Sequence, residues 1–325
     1  MTLRDNQNQT AASDRISVTS ISAALPFGAR VAGATRELLD DIGVRALLNE
    51  AFEKHGLLIF ENVDPTPAMH VALSTVFGPL KDHPSKATPR AGGDDMLGVI
   101  EIRHNPAEAG SVRFGNGPQL SQWLPWHFDH CYNDQLNRAG VLRAVEIPPE
   151  GGRTGFVDGI ALYGALSPAL RERIEGETIL YAMDVILDNL RYGRPADFVE
   201  IEPSPASVGV MREFEGRPRA LHPAVWTRRS GEKVLHVSPW MAKGIVGRED
   251  PDGEALLDAV CCEIVEAAKS LCYFHQWLPT DMVIWDNWRL LHSVSGMPSE
   301  YPRAMQRTTI AGDYGLGRFE TSAAV

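Results

Sequence analysis

The sequence predicts an α+β protein with a double-stranded β-helix, or jelly-roll, core flanked by helices. Short segments of strand-forming apolar residues recur between Gly and Pro turns, as they do in antiparallel double-sheet folds. Longer segments with helical periodicity lie between them, and such helices pack on the outside of a β core. The predicted strands cover residues 56–60, 96–100, 141–145, 234–237, 282–285 and 306–311.

Helices are predicted in three places. The first covers residues 38–52, where apolar residues follow a mostly helical spacing interrupted by Gly43, and it leads into the strand at 56–60. The second begins at Ser167, an N-cap residue type followed by Pro168. The third begins near Gly253 and carries an apolar stripe formed by Leu256, Leu257, Val260, Cys261, Ile264, Val265, Ala268 and Leu271.

Length, composition and charge exclude several classes of protein. The 325 residues, 44% of them hydrophobic, suffice for one elaborated domain, which we predict over residues 21–325 after a polar, flexible segment at 1–20. A formal net charge of −11 without a basic stripe argues against nucleic-acid binding. No apolar stretch is long enough for a signal peptide or a membrane span, so we expect a soluble, cytoplasmic protein.

The pattern His127-Phe128-Asp129, followed far downstream by His292, is the strongest functional signal. On an extended strand, alternate side chains share a face, so His127 and Asp129 can point the same way. Two imidazoles and one carboxylate on one face of a divalent metal form the facial triad of non-haem iron oxygenases, which leaves coordination positions open. The alternative is a hydrogen bond between His127 and Asp129 in an ordinary core.

Further motifs accompany this pattern along the chain. They are 151–158 (GGRTGFVD), 161–163 (ALY), 221–225 (LHPAV), 285–287 (WDN) and 303–313 (RAMQRTTIAGD). In this order they resemble the TauD/TfdA family (taurine dioxygenase / chlorophenoxyacetate dioxygenase) of iron(II)- and 2-oxoglutarate-dependent dioxygenases, from about residue 35 to the end of the chain. The resemblance implies a metal-binding oxidoreductase that uses Fe(II), 2-oxoglutarate and O2.

The resemblance also implies roles for individual residues. His127, Asp129 and His292 would hold the iron, and Arg303 would bind the far carboxylate of 2-oxoglutarate, with the Thr154 hydroxyl as a second donor. Arg307, four residues beyond Arg303, lies on the same strand face. It would contact the acidic group of the substrate or the metal-proximal carboxylate of the co-substrate. For both arginines the alternative is a surface salt bridge.

Three further positions match substrate-facing residues of the family. His83 corresponds to an N-terminal histidine that faces the substrate, although a loop histidine bonded to backbone fits equally well. Tyr132 falls where relatives carry an aromatic pocket wall, with an ordinary core tyrosine as the alternative. Trp123 replaces a polar residue and implies a bulkier, more apolar pocket. His130 is left out of the site, because strand alternation points it away from the metal.

The expected reaction is hydroxylation of a small, moderately apolar acid, with or without cleavage of the product, coupled to decarboxylation of 2-oxoglutarate. Desaturation or oxidative rearrangement of an amino-acid-derived metabolite is the alternative within this chemistry. Two alternatives come from other classes. A zinc hydrolase would also use two histidines and a carboxylate, and a catalytically silent binding protein could share the same scaffold. A homo-oligomer is compatible with the family, and a small acidic molecule is the expected partner.

Overall fold

The computed structural model describes residues 12–86, 88–91, 98–108 and 110–321. The helices are α1 Ile42–His55, α2 Pro67–Val76, α3 Gly159–Ala165, α4 Pro168–Ile174, α5 Pro205–Phe214 and α6 Pro251–Leu271, with 3-10 turns at Leu38–Asp40, Pro106–Glu108 and Leu187–Asn189. The strands are β1 Ser17–Ser20, β2 Ala29–Ala32, β3 Leu57–Phe60, β4 Val99–His104, β5 Ser111–Phe114, β6 Leu120–His127, β7 Ala139–Glu146, β8 Thr154–Asp158, β9 Thr178–Tyr181, β10 Phe198–Glu202, β11 Ala220–Pro223, β12 Val225–Thr227, β13 Lys233–Leu235, β14 Ala242–Ile245, β15 Cys272–His275, β16 Met282–Asp286, β17 Leu290–Pro298, β18 Arg303–Ile310 and β19 Arg318–Phe319.

Two large sheets organise the molecule. One has seven strands in the order β1-β2-β3-β16-β7-β18-β4, and the other has six in the order β10-β5-β6-β17-β8-β15. A four-stranded sheet, β14-β9-β11-β19, and the hairpin β12-β13 are smaller. Most pairings are antiparallel, while β2 and β3 run parallel. The result is a mixed α/β fold.

The two large sheets pack face to face over a common core. Phe156 of the six-stranded sheet contacts Trp285 of the seven-stranded sheet, with ring centroids 5.8 Å apart, and both belong to one buried cluster with Met305. Alternate residues of a strand share a face. Arg303 and Arg307 therefore lie on the same face of β18 as Met305, which is the face toward the other sheet.

Helices cover the outer faces, as the apolar stripes predict. Helices α1 and α2 pack on the seven-stranded sheet, and α6 packs on the outside of the six-stranded sheet. Asp41 caps α1 by accepting a hydrogen bond from the Val44 backbone N–H at 2.9 Å, and Gly56 ends the helix with φ 69°. None of the helices in the described ranges combines the length and the apolarity that a bilayer crossing requires.

Three local expectations differ from the structure. Ser17–Ser20, assigned above to a flexible segment, form β1 and pair with β2, because the adjacent Ile16 is buried in the cluster under α1. The first part of the predicted strand at 96–100 lies outside the described residues, and β4 extends instead from Val99 to His104. Ser167 precedes α4 as predicted, but its side chain makes no capping hydrogen bond.

Three buried histidines outside the metal ligands make stability depend on pH. Burial lowers the pKa of His70 and His222 to about 4 and that of His236 to about 3. The unfolded chain therefore takes up protons on these rings at a higher pH than the folded chain. Their stabilisation is complete above about pH 6.5 and is lost as the pH falls toward 4. We expect the free energy of unfolding, measured by urea denaturation, to be lower at pH 4 than at pH 6.5 by roughly several kcal/mol.

His70 provides a matched variant for this prediction. Its Nε2 donates a hydrogen bond to the Val141 backbone oxygen at 3.0 Å, and the amide of glutamine can replace that donor without titrating. His70→Gln should therefore show a shallower decline between pH 6.5 and pH 4 than the unmodified chain. Identical slopes for the two proteins would argue against a buried neutral His70.

Candidate metal centre and its surroundings

The three predicted metal ligands lie together at the interface of the two large sheets. His127 ends β6, and His292 is its direct partner on the neighbouring strand β17. One ligand atom from each of His127, Asp129 and His292 lies within 4.8 Å of the others, and all three residues are buried. The imidazole centroids of His127 and His292 are 4.0 Å apart. These three side chains can hold one metal ion.

The hydrogen bonds of His127 leave the correct nitrogen available. Its Nδ1 lies 2.7 Å from the backbone oxygen of Pro125, which only accepts, so Nδ1 carries the proton and Nε2 has a free lone pair. Burial lowers the pKa of His127, and it lowers that of His292 well below the ordinary value. Both imidazoles are therefore neutral, as metal ligation requires.

Asp129 is also in the form that binds metals. Its Oδ1 accepts a hydrogen bond from Nη1 of Arg307 at 2.7 Å, whereas its buried Oδ2 has no hydrogen-bond partner among the described residues. Burial is the largest single effect and would raise the pKa of Asp129, but Arg307 and the surrounding histidines together outweigh it and hold the pKa well below its usual range. The carboxylate is ionised and keeps one oxygen free for a cation.

The backbone at Asp129 is fixed by Asn287, which follows β16. Asn287 Oδ1 accepts from the Asp129 backbone N–H at 2.8 Å, and its Nδ2 donates to the Asp129 backbone oxygen at 3.1 Å. Nδ2 also reaches Oδ1 of Asn137 at 3.1 Å. The ring of Phe128 stacks on His236 at 3.8 Å. These contacts hold the short segment between His127 and Asp129 from both sides, and the sequence pattern alone did not indicate them.

Arg303 begins β18 and is a buried cation with no counter-charge among the described residues. Its side chain is 4% exposed, and its Nε has no hydrogen-bond partner among the described residues. Burial lowers the pKa of the guanidinium to about 10, so the group is still charged at neutral pH. A Cβ on Gly152 would lie 3.3 Å from Cδ and Nε of Arg303, so the absence of a side chain at Gly152 makes room for the arginine.

Thr154 begins β8, two residues after Gly152, and is buried. It pairs with Val294 in the register that also pairs His292 with Phe156, so Thr154 and His292 share a face of the sheet. The Thr154 Oγ1 accepts a hydrogen bond from the indole Nε1 of Trp277 at 3.1 Å. Thr154 therefore faces the space between the sheets, on the same side as the histidine ligand.

His83, Tyr132 and the unpredicted His130 form one group beside the triad. The ring centroid of His130 lies 5.2 Å from that of His83 and 6.0 Å from that of Tyr132. Burial and the nearby charge of Arg307 lower the pKa of His83 to about 4. The strand alternation on which the exclusion of His130 relied does not extend to this residue, because β6 ends at His127 and His130 has φ 61°. Both of its ring nitrogens are buried without a partner among the described residues.

Trp123 lies farther from the triad. In the irregular pairing of β6 with β17 it lies opposite Ser295, and its ring packs against those of Phe114 and Phe198 at 5.1 and 5.0 Å. It lines a cavity of about 140 Å³ that is also lined by Trp240. The Trp240 ring in turn meets His127 edge-on, with centroids 4.9 Å apart. A larger cavity of about 810 Å³ on the surface is lined by none of the predicted site residues.

Comparisons with known proteins agree with this geometry. The family model described as "Taurine catabolism dioxygenase TauD, TfdA family" matches residues 18–309. A (S)-phenoxypropionate/alpha-ketoglutarate-dioxygenase of Delftia acidovorans is 26% identical over 307 residues, which cover 91% of this chain and 95% of that protein. Pentalenolactone F synthase of Streptomyces arenae is 27% identical over 321 residues, covering 94% and 99%.

A solved structure shows the same fold. The crystal structure of AAD-2 in complex with Mn(II) and N-oxalylglycine has a TM-score of 0.66 at 22% identity and covers 92% of this chain and 98% of that chain. At that identity the likeness concerns the fold alone.

Proposed function

The chain belongs to the TauD/TfdA family of Fe(II)- and 2-oxoglutarate-dependent dioxygenases, and from that premise we propose that it hydroxylates a small, moderately apolar acid. This proposal rests on one observation: three buried side chains that can bind a metal occur together with a buried Arg303, whose Nε has no partner among the described residues. We further propose that the two large sheets form the jelly-roll core that the sequence predicts.

The donor set suits iron. Two neutral imidazoles and a carboxylate with a free oxygen match the facial arrangement of non-haem iron enzymes, which leaves positions open for other ligands. When bound there, Fe(II) with 2-oxoglutarate and O2 supplies the oxidising chemistry, and 2-oxoglutarate is converted to succinate and carbon dioxide. The protein contributes the ligand geometry, which Asn287 and the Pro125 carbonyl maintain.

Arg303 and Thr154 are the proposed site for the far carboxylate of 2-oxoglutarate. A guanidinium fork pairs with a carboxylate through two parallel hydrogen bonds, and such pairs are strongest where water is excluded. Arg303 is buried, no anion of the described ranges lies beside it, and an uncompensated buried charge is costly. Binding of a dianionic co-substrate would therefore offset the free energy that is lost by burying the guanidinium of Arg303.

Arg307 and His83 are the proposed contacts to the acidic group of the substrate. Arg307 is bonded to Asp129 through Nη1, while its buried Nε has no partner among the described residues. Neutral His83 and His130 flank this guanidinium, and Tyr132 adds an aromatic wall. Trp123 lines the smaller cavity together with Trp240, whose ring contacts His127. A cation, hydrogen-bonding imidazoles and aromatic rings together suit an acid with an apolar body.

A screen of candidate acids tests this function. We expect succinate release from 2-oxoglutarate, with matching O2 uptake, when the protein is loaded with Fe(II) and offered the correct acid, such as an aryloxyalkanoate. Loading with Zn(II) should give no O2 uptake. Hydrolysis of an ester or amide by the zinc form, without O2 uptake by the iron form, would refute the proposal in favour of a hydrolase.

One relative is named as a synthase, pentalenolactone F synthase, so a second reaction at the same site is worth testing. Desaturation or oxidative rearrangement would use the same ligands and the same co-substrate. Product mass distinguishes the two, because hydroxylation adds one oxygen atom whereas desaturation removes two hydrogens. Substrate positioning by Arg307 and His83 is required in both cases.

A further inference from the structure

We propose that Trp277 is a positioning residue that fixes the Thr154 hydroxyl as a hydrogen-bond donor to the far carboxylate of 2-oxoglutarate. This inference rests on the proposed function and concerns the same co-substrate site. Trp277 lies outside the motifs from which the sequence analysis took its site residues. Its role follows from the direction of one hydrogen bond.

The direction of that bond is set by chemistry. An indole N–H only donates, so the 3.1 Å contact between Trp277 Nε1 and Thr154 Oγ1 makes the hydroxyl oxygen the acceptor. The hydroxyl proton is then left to point elsewhere, and no described residue accepts it. Thr154 and Trp277 are only 2% and 4% exposed, so bulk water does not compete for this bond. The hydroxyl therefore presents its proton to whatever anion enters beside it.

Trp277 is itself held rigidly. Its ring meets that of His275 edge-on at 4.6 Å, and His275 Nε2 lies 3.3 Å from Oδ2 of Asp281. His275 is also the β15 partner of Thr154 in the β8 pairing. The indole belongs to the buried cluster between the sheets with Met305, which lies two residues after Arg303. The donor to Thr154 is thus fixed by the same core that positions Arg303.

The two proposed carboxylate donors are complementary. Arg303 offers a guanidinium whose Nε is unpartnered among the described residues, and the backbone of Gly152, two residues before Thr154, lies against that arginine. A free hydroxyl rotor would lose entropy when it orders on a ligand. Because the indole N–H occupies one lone pair and repels rotamers that point the hydroxyl proton toward it, part of that ordering is made before the co-substrate binds.

Calorimetric titration of the Mn(II)-loaded protein with 2-oxoglutarate under anaerobic conditions tests this inference. We expect Trp277→Phe and Thr154→Val each to weaken binding about tenfold, and the double variant to be no weaker than either single one. Binding of 2-oxopentanoate, which lacks the far carboxylate, should be unchanged, as measured by displacement of 2-oxoglutarate. In turnover, KM for 2-oxoglutarate should rise while kcat at saturation stays constant.

Two controls separate positioning from a general effect on packing. Trp288→Phe removes an indole Nε1 that has no partner among the described residues, so it should leave the affinity unchanged. If Trp277→Phe does not fold, 3-benzothienylalanine at position 277 keeps the ring shape and replaces N–H by sulfur. It should reproduce the tenfold loss.

The outcomes are distinguishable. Failure of the unmodified protein to bind 2-oxoglutarate would contradict the proposed function itself. The role of Trp277 would be overturned if the unmodified protein bound 2-oxoglutarate normally and Trp277→Phe weakened the binding of 2-oxoglutarate and 2-oxopentanoate equally. Losses of affinity that add in the double variant would have the same meaning. Full affinity in the benzothienyl protein would overturn it as well.

Discussion

Replacing Asp129 by alanine is expected to abolish metal binding and, with it, substrate-dependent succinate formation. Asp129 is the anionic member of the triad, and its Oδ2 has no partner in the described part of the chain. Two neutral imidazoles alone supply no charge to offset that of a divalent ion. Calorimetric titration with Mn(II) and an assay for succinate measure the two effects separately.

The same substitution should also weaken the fold of the metal-free protein. Asp129 is the anion beside the buried Arg307, at 2.7 Å, and removing one partner of a buried ion pair costs about 3–5 kcal/mol. Asp129→Asn keeps the shape and one acceptor oxygen, so it should fold better while still losing metal affinity. Asp134→Ala, at a half-buried position in the same segment, is the matched control and should keep both properties. Undiminished turnover by Asp129→Ala would refute the metal assignment.

The triad is the part of the site that sequence reasoning could reach. His127 and Asp129 are two residues apart at the end of a strand, so their spacing and ligand chemistry made them candidates, and the family motifs elsewhere in the chain decided the assignment. The strands and the long helix α6 followed from local patterns, since their apolar residues repeat at 2 or 3.6 positions. Local periodicity therefore accounts for the layers, whereas the assignment of the ligands, including the remote His292, depended on the resemblance to the family.

Residues whose roles depend on remote partners were out of reach. Asn287 bonds Asp129 across 158 positions of sequence, and Trp277 bonds Thr154 across 123. Neither residue type is unusual in a core, so only the three-dimensional pairing reveals what it does. The surroundings of His130 were out of reach for another reason, because a left-handed φ ends the strand alternation from which its direction was predicted. Trp123 likewise lies in an irregular strand, where Gln122 has φ 58°.

Replacing Arg303 by methionine should change stability and ligand binding in opposite directions. In the part of the chain that the structure describes, the buried guanidinium has no counter-charge, and burial lowers its pKa to about 10. Because the group is charged in both the folded and the unfolded chain below that pH, its burial destabilises the fold there by about 3 kcal/mol. Methionine has a similar length and no charge. At pH 7 the variant without ligands should therefore be more stable than the unmodified protein in urea denaturation.

Binding of 2-oxoglutarate should fall sharply in the same variant. Loss of a buried charged pair to the far carboxylate corresponds to about 3 kcal/mol, or roughly a hundredfold in affinity and in KM. The unmodified protein should gain stability when 2-oxoglutarate and Mn(II) are added together, and the variant should gain much less.

Arg143 offers the matched control for this prediction. It is also a buried arginine, but its Nη2 and Nε bond Oε1 of Gln306 at 2.7 and 3.1 Å, so its hydrogen bonds are satisfied within the protein. Arg143→Met leaves Gln306 without that donor and should lower stability while 2-oxoglutarate binding persists. Comparison of the two variants thus distinguishes two classes of buried arginine: one that binds a ligand and one that stabilises the fold. A less stable Arg303→Met protein that still binds 2-oxoglutarate normally would place Arg303 in the second class.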